Sequence, residues 1–284
     1  MHRLSAVVLT IFLIISVSLN MTPQSAPSVP ATAYLGFDRN DYPGEANLKP
    51  LRQTFSYTGF WLNQPPGERT NTWAGKREAL QSAGFGFLVL FNGRLYSQLR
   101  TLSRAGRLGS SDAQAAVATA RREGFPEGTI IFLDQEEGGR MLPAQKAYIY
   151  AWVDGVAAAG FRAGIYCSGI AANEDGGVSA ITAEDVRQNS AGRKIVYWVA
   201  NDACPPSPGC TFPKSPSSPS QSGIDFAEVW QYAQSPKRPD VAASCPANYD
   251  RDGSCYPPGI DRALHLHVDL NTAASSDPSH GRAR

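Results

Sequence analysis

Short apolar runs recur along the chain with amphipathic or polar stretches between them. Eight stand out: Tyr34–Asp38, Thr58–Leu62, Gly86–Phe91, Thr129–Asp134, Ala163–Cys167, Ile195–Ala200, Glu228–Tyr232 and Leu264–Leu270. Most are rich in β-branched and aromatic residues without polar alternation, the pattern of strands buried on both faces. Helical patterns fit between several of them, over Trp73–Ala83, Ser111–Glu123, Pro143–Ala159 and Thr182–Gln188. Their ends carry the expected signals. Ser111 or Asp112 can cap the second helix and Gly124 can end it. Pro143 suits a first turn, Gly160 a stop, and Thr182-x-x-Asp185 resembles a capping box.

Strands alternating with helices predict a parallel sheet with helical crossovers. Eight of them predict an α/β fold closed as a (β/α)8 TIM-type barrel over residues 34–272. An open doubly wound sheet is the alternative, but no Gly-rich phosphate fingerprint follows the first strand. Regularity fades in the last third, where Cys204–Gly223 is Pro/Ser-rich and Ala233–Ala263 has little helical pattern. The barrel is expected to be flattened or irregular there. Residues 273–284 read as a disordered polar tail.

The N-terminus changes the picture. Arg3 precedes an apolar run from Leu4 to Leu19, and no further charge occurs until Asp38. This is the layout of a secretory signal peptide over residues 1–33, with cleavage after Ala26 or Ala33. The run is short for a membrane span, which needs roughly 20 residues, and no later segment is apolar enough. A secreted, extracytoplasmic protein without a stable span is expected. Five cysteines agree with an oxidising compartment. Local pairing predicts Cys204–Cys210 and Cys245–Cys255, one choice among several connectivities, and Cys167 reads as a buried free thiol. The net charge of +1 gives no case for nucleic acid. No cofactor motif is present, and a monomer is expected.

In such barrels chemistry gathers at the C-terminal ends of the strands. There the sequence places Asp38, then Asp134 with Glu136, then Asn201–Asp202, Gln231–Tyr232 and Asp269. Strand side chains alternate, so Asp134 and Glu136 share a face while Gln135 points away. Crowded carboxylates raise one another's pKa, and burial acts in the same direction. One can then stay protonated as a general acid while another stays charged, the arrangement that cleaves glycosidic bonds. A single acidic residue at a strand end is more often a turn or capping group, so the case rests on the pair. Glu137 reads as a solvated charge or a partner for Arg140. Trp61, Tyr166, Trp198, Trp230 and Tyr232 stand near strand ends, and aromatic faces suit sugar rings, although some must be core. No Cys/His spacing suggests zinc. A metal site would need His265 or His267 in the mouth. The Asp250–Gly253 stretch lacks the later glutamate of a calcium loop.

The segments "GFDRND", "IIFLDQEEGG", "AGIYCSG", "YWVA", "VWQYA" and "HVDLN" follow one another in the order seen in glycoside hydrolase family 25 lysozymes. "YLGFDRNDYPG" with "TGFWLNQPP" resembles in particular the branch called domain of unknown function 1906, described as glycoside-hydrolase-like. The resemblance spans Tyr34 to Thr272. It implies a barrel acting on or binding peptidoglycan-type glycan. Glu136 would be the general acid, Asp134 would orient or stabilise the sugar, and Asp38 would assist. Tyr166, Trp198 and Gln231 would line the subsite, with Asp269 at its floor. Tyr232 and Trp61 join them as candidate substrate contacts. The sequence departs from the pattern at Glu137, an additional carboxylate, and at Asn201–Asp202 after the sixth strand.

Overall fold

The structure is a computed structural model that describes residues 32–245 and 248–282. The signal-type run lies outside the described residues. Eight strands close into one barrel: β1 (Tyr34–Asp38), β2 (Tyr57–Trp61), β3 (Gly86–Asn92), β4 (Ile130–Asp134), β5 (Arg162–Ser168), β8 (Ile195–Ala200), β9 (Val229–Ala233) and β10 (Asp269–Ala273). A separate hairpin, β6 (Ala171–Asn173) with β7 (Ser179–Ile181), follows β5. The helices are α1 (Glu45–Thr54), α2 (Arg77–Ser82), α3 (Tyr96–Leu99), α4 (Leu102–Arg122), α5 (Pro143–Ala158) and α6 (Thr182–Gln188).

The barrel is of the (β/α)8 type but not wholly parallel. β10 runs antiparallel to both β1 and β9. Because β9 ends at the mouth and β10 begins there, the chain needs no crossover back to the far end. That is why the described residues between 234 and 268 hold only turns and a short 3-10 segment where a helix would otherwise stand. The eighth apolar run was expected to be the strand itself. Its start, Leu264 to Val268, is instead approach loop, and the strand extends past it.

Alternation along the strands sorts the core into two layers. Phe37, Phe60 and Phe87 point outward, where they meet Phe55, Phe85, Trp73 and Phe125 at ring separations of 4.8–6.2 Å. Inward positions fill the lumen. Two glycines make that filling possible. A Cβ on Gly36 would lie 2.1 Å from the Tyr57 ring, and one on Gly164 would lie 2.4 Å from Phe132. Large rings occupy the space those side chains would take, so the lower barrel is solid.

Three expectations need correction. The cysteines pair between loops, Cys204 with Cys245 and Cys210 with Cys255, at Cα separations of 4.7 and 5.5 Å, within the range a disulfide spans. Proximity in sequence was the wrong guide, because the β8–β9 and β9–β10 loops lie side by side at the mouth. The C-terminal segment is not loose. Ser279 is fully buried, donates its N–H to Phe87 O and accepts from Ile130 N–H, both at 2.8 Å. Its Oγ accepts from Val89 N–H at 2.8 Å, so residues 274–282 seal the lower end between β3 and β4. The helix read as Ser111–Glu123 begins at Leu102, with Thr101 as its cap.

Candidate active site

All eight barrel strands deliver side chains to one cavity of about 270 Å³ at the mouth, β3 through Leu90. Asp38, Trp61, Asp134, Glu136, Tyr166, Trp198, Gln231 and Asp269 all line it. Period two explains the set, since each strand's last inward residue is the one that reaches the opening. Asp269 arrives by a different route. It is the first residue of the reversed strand and pairs in register with Asp38, the last residue of β1.

A hydrogen-bonded frame fixes the floor. Tyr166 donates its O–H to Gln231 Oε1 at 2.7 Å. Gln231 Nε2 donates to Asp38 Oδ1 at 3.1 Å and to Asp269 Oδ2 at 3.4 Å. Asn271 Nδ2 donates to the same Asp38 oxygen at 2.6 Å while its Oδ1 accepts from Trp198 Nε1 at 2.9 Å. Asp269 also accepts the Ser235 N–H at 2.6 Å. Tyr166 and Trp198 pack edge to face with centroids 4.6 Å apart. The aromatic wall is therefore held by side-chain bonds as well as by packing.

The carboxylates differ in what they are given. Asp38 is buried and has two side-chain donors. Burial pushes its pKa up to about 6, the Asn271 and Gln231 bonds hold it down, and the Glu136 charge adds to the rise. Asp134 is 3% exposed and neither of its oxygens has a donor in the structure. Burial first, then the neighbouring Glu136 carboxylate, raises it well above the usual carboxylate range. A carboxylate with no donor to either oxygen is held in its neutral form by such surroundings. Glu136 lies just past the end of β4. It remains open to solvent at the rim, yet protein on its other sides desolvates it and raises its pKa, with the neighbouring Asp134 and Arg238 pulling the other way. Asp269 is raised well above its ordinary value, by burial and then by Asp38. The site thus combines protonated groups that can donate with an accessible one that can reach a ligand.

Some expected roles do not materialise in the geometry. Tyr232 faces away from the cavity and donates its O–H to Thr211 O at 2.7 Å, packing the disulfide-bound loop onto the barrel. Trp230 is on that same outer face, with its Nε1 donating to Asn201 O at 2.8 Å. Asp202 is buried and accepts from Arg238 Nε and Nη2 with its two carboxylate oxygens. Glu137 is neither solvated nor paired with Arg140. It accepts from Tyr96 N–H at 2.7 Å and Gln145 Nε2 at 2.8 Å, while Arg140 pairs with Glu174 at 3.2 Å. His265 and His267 do not line the cavity, and among the described residues no cluster of His, Cys, Asp and Glu is arranged to hold a metal ion.

Sequence reasoning missed Asn40, Asn271, Gln234 and Ser235. Asn271 was findable, being two residues beyond Asp269 and so on the same face. Gln234 and Ser235 were not, since the turn that aims them follows β9 without any periodic signal; Gln234 Nε2 reaches Tyr166 Oη at 3.1 Å.

The chain resembles several solved structures. A Bacillus stearothermophilus protein of uncharacterised role shares 20% identity over 84% of this chain and 95% of its own, with a TM-score of 0.49. The Mycobacterium tuberculosis Tat-secreted protein Rv2525c shares 12% over 85% and 94%, at 0.49. A bacterial lysozyme from Streptomyces coelicolor shares 14% over 87% and 96%, at 0.49. No curated protein matches the chain. Residues 58–207 match the family described as the Rv2525c-like, glycoside hydrolase-like domain, and the chain belongs to that family.

Proposed function

We propose that the protein is an extracytoplasmic glycoside hydrolase of cell-wall, peptidoglycan-type glycan, with Glu136 as general acid. One observation carries the reading: four acidic residues from β1, β10 and the end of β4 share one aromatic-walled cavity, and neither oxygen of the buried Asp134 has a hydrogen-bond partner. A structural carboxylate is normally satisfied by hydrogen bonds. A donor-free one at a strand end beside an accessible glutamate suits a group kept protonated for use. The aromatic wall and about 270 Å³ of space suit one sugar ring at the floor, with the chain running out over the rim.

The chemistry follows from the arrangement. Glu136 gives its proton to the glycosidic oxygen as the bond from that oxygen to the anomeric carbon breaks. Positive charge developing on the ring is stabilised by carboxylate at Asp38. Water then adds its hydroxyl to the anomeric carbon, and its remaining proton restores Glu136. Asp134, raised well above the usual carboxylate range by burial, stays neutral beside Glu136. The two cysteine pairs and the N-terminal apolar run support an extracytoplasmic setting.

The test is digestion of purified peptidoglycan, by zymogram and by release of reducing ends. Glu136→Gln keeps the shape and removes the acid, and the expected loss is about 10²–10⁴-fold. Digestion by Glu136→Gln at the parent rate overturns the assignment. Binding of the glycan by the parent protein with no release of reducing ends would leave a binding protein on this barrel instead.

A further inference from the structure

Exposed large apolar side chains are not scattered over this molecule. Among the described residues six stand out, and Leu95, Tyr96, Leu102 and Leu142 fall on the segments that lead from β3 into α4 and from β4 into α5. They are 44–57% exposed. Several contacts make them one patch. Glu137 ties the Tyr96 N–H to Gln145, and Gln145 Oε1 in turn accepts the Leu142 N–H at 2.8 Å. Helices α4 and α5 run side by side from the mouth: Gly109 lies against Tyr148, and Gly155 against Ala113. That register puts Leu102 and Leu142 at matching heights at the start of each helix. The patch adjoins Glu136 through its neighbour Glu137.

Its charge is as uneven as its polarity. From Gly93 to Ser111 there is no Asp or Glu, but there are Arg94, Arg100, Arg104 and Arg107. Arg94 is neutralised by Asp112 at 2.6 Å. The other three are exposed, and among the described residues no acidic side chain pairs with them. Leucines and a tyrosine beside unpaired arginines fit the boundary of a bilayer, where apolar groups enter the acyl region and guanidinium groups meet phosphate. An anionic polymer in water would use the arginines and leave the leucines exposed.

We propose that Leu95, Tyr96, Leu102 and Leu142, with Arg100, Arg104 and Arg107, dock the protein peripherally on an anionic lipid surface. The docked mouth would lie beside the membrane, with the cavity open to glycan close to the bilayer. This surface is separate from the hydrolytic residues, and the two can fail independently.

The test is co-sedimentation of the purified chain with phosphatidylglycerol vesicles, phosphatidylcholine vesicles and soluble polyphosphate. The parent should bind phosphatidylglycerol, release with salt, and bind phosphatidylcholine far less. Arg100→Gln with Arg104→Gln and Arg107→Gln should weaken binding about 100-fold, at about five-fold per arginine. Leu95→Ser with Leu102→Ser should weaken it about ten-fold or more. Circular dichroism melts check that both variants remain folded, as substitutions at exposed sites should, and Glu136→Gln should bind vesicles like the parent. No binding to phosphatidylglycerol overturns the proposal. So does polyphosphate binding as tight as vesicle binding together with an unaffected leucine variant.

Discussion

Asp38 shows how a single carboxylate at this mouth is set against stability. Its pKa in the folded state, about 6, lies above the ordinary 3.8 because burial outweighs the Asn271 and Gln231 bonds. Between about pH 4 and 6 the native state therefore holds a proton that the unfolded chain has released, and stability falls as pH rises through that window. At neutral pH the cost is up to about 3 kcal/mol. Asp38→Asn, which keeps an acceptor for both donors, should melt higher than the parent at pH 7 and nearly alike at pH 4, while losing glycan digestion. A melting temperature unchanged at pH 7 would contradict the burial argument. Glu136 gives the complementary expectation for turnover. Its raised pKa keeps it protonated in mild acid, so the rate of glycan cleavage should fall as pH rises through that value and the falling limb should disappear in Glu136→Gln.

At the scale of elements, the loops after β8 and β9 act as one unit because the disulfides cross between them. Non-reduced peptide mapping should find Cys204 joined to Cys245 and Cys210 joined to Cys255. Replacing both members of either pair by serine should lower stability by about 2–4 kcal/mol in denaturant titrations. The loops also place Arg238 near Glu136, so the same variants should disturb activity beyond their effect on folding. Helix α4 illustrates why boundaries escaped the sequence. Gly106, Gly109, Ser110 and Ser111 argue against helix by propensity. Yet a Cβ at Gly109 would lie 2.2 Å from Tyr148 O, so the glycine is there to let α5 approach. Gly109→Val should cost about 1–3 kcal/mol or more through overpacking, measured by the same titration.

For the whole molecule, the C-terminal segment is part of the barrel's closure. Removing residues 274–284 would strip partners from the Phe87, Val89 and Ile130 backbone groups. Each buried group left unsatisfied costs about 1–3 kcal/mol, against a total stability of about 5–15 kcal/mol for a typical domain. The truncated protein should not give a cooperative melt.

The sequence by itself determined the eight strands of the barrel and the strand-end acids, though not the β6–β7 hairpin. These follow from local rules: apolar runs drive strands inward, and period two puts Asp134 and Glu136 on one face. Tertiary structure decided the rest. The reversal of β10, the cysteine partners and the seating of Ser279 each depend on which loops and strands become neighbours. So does Glu137, whose two partners come from α3 and α5. Such neighbours are set by closure of the whole sheet, and no periodicity within a segment records them.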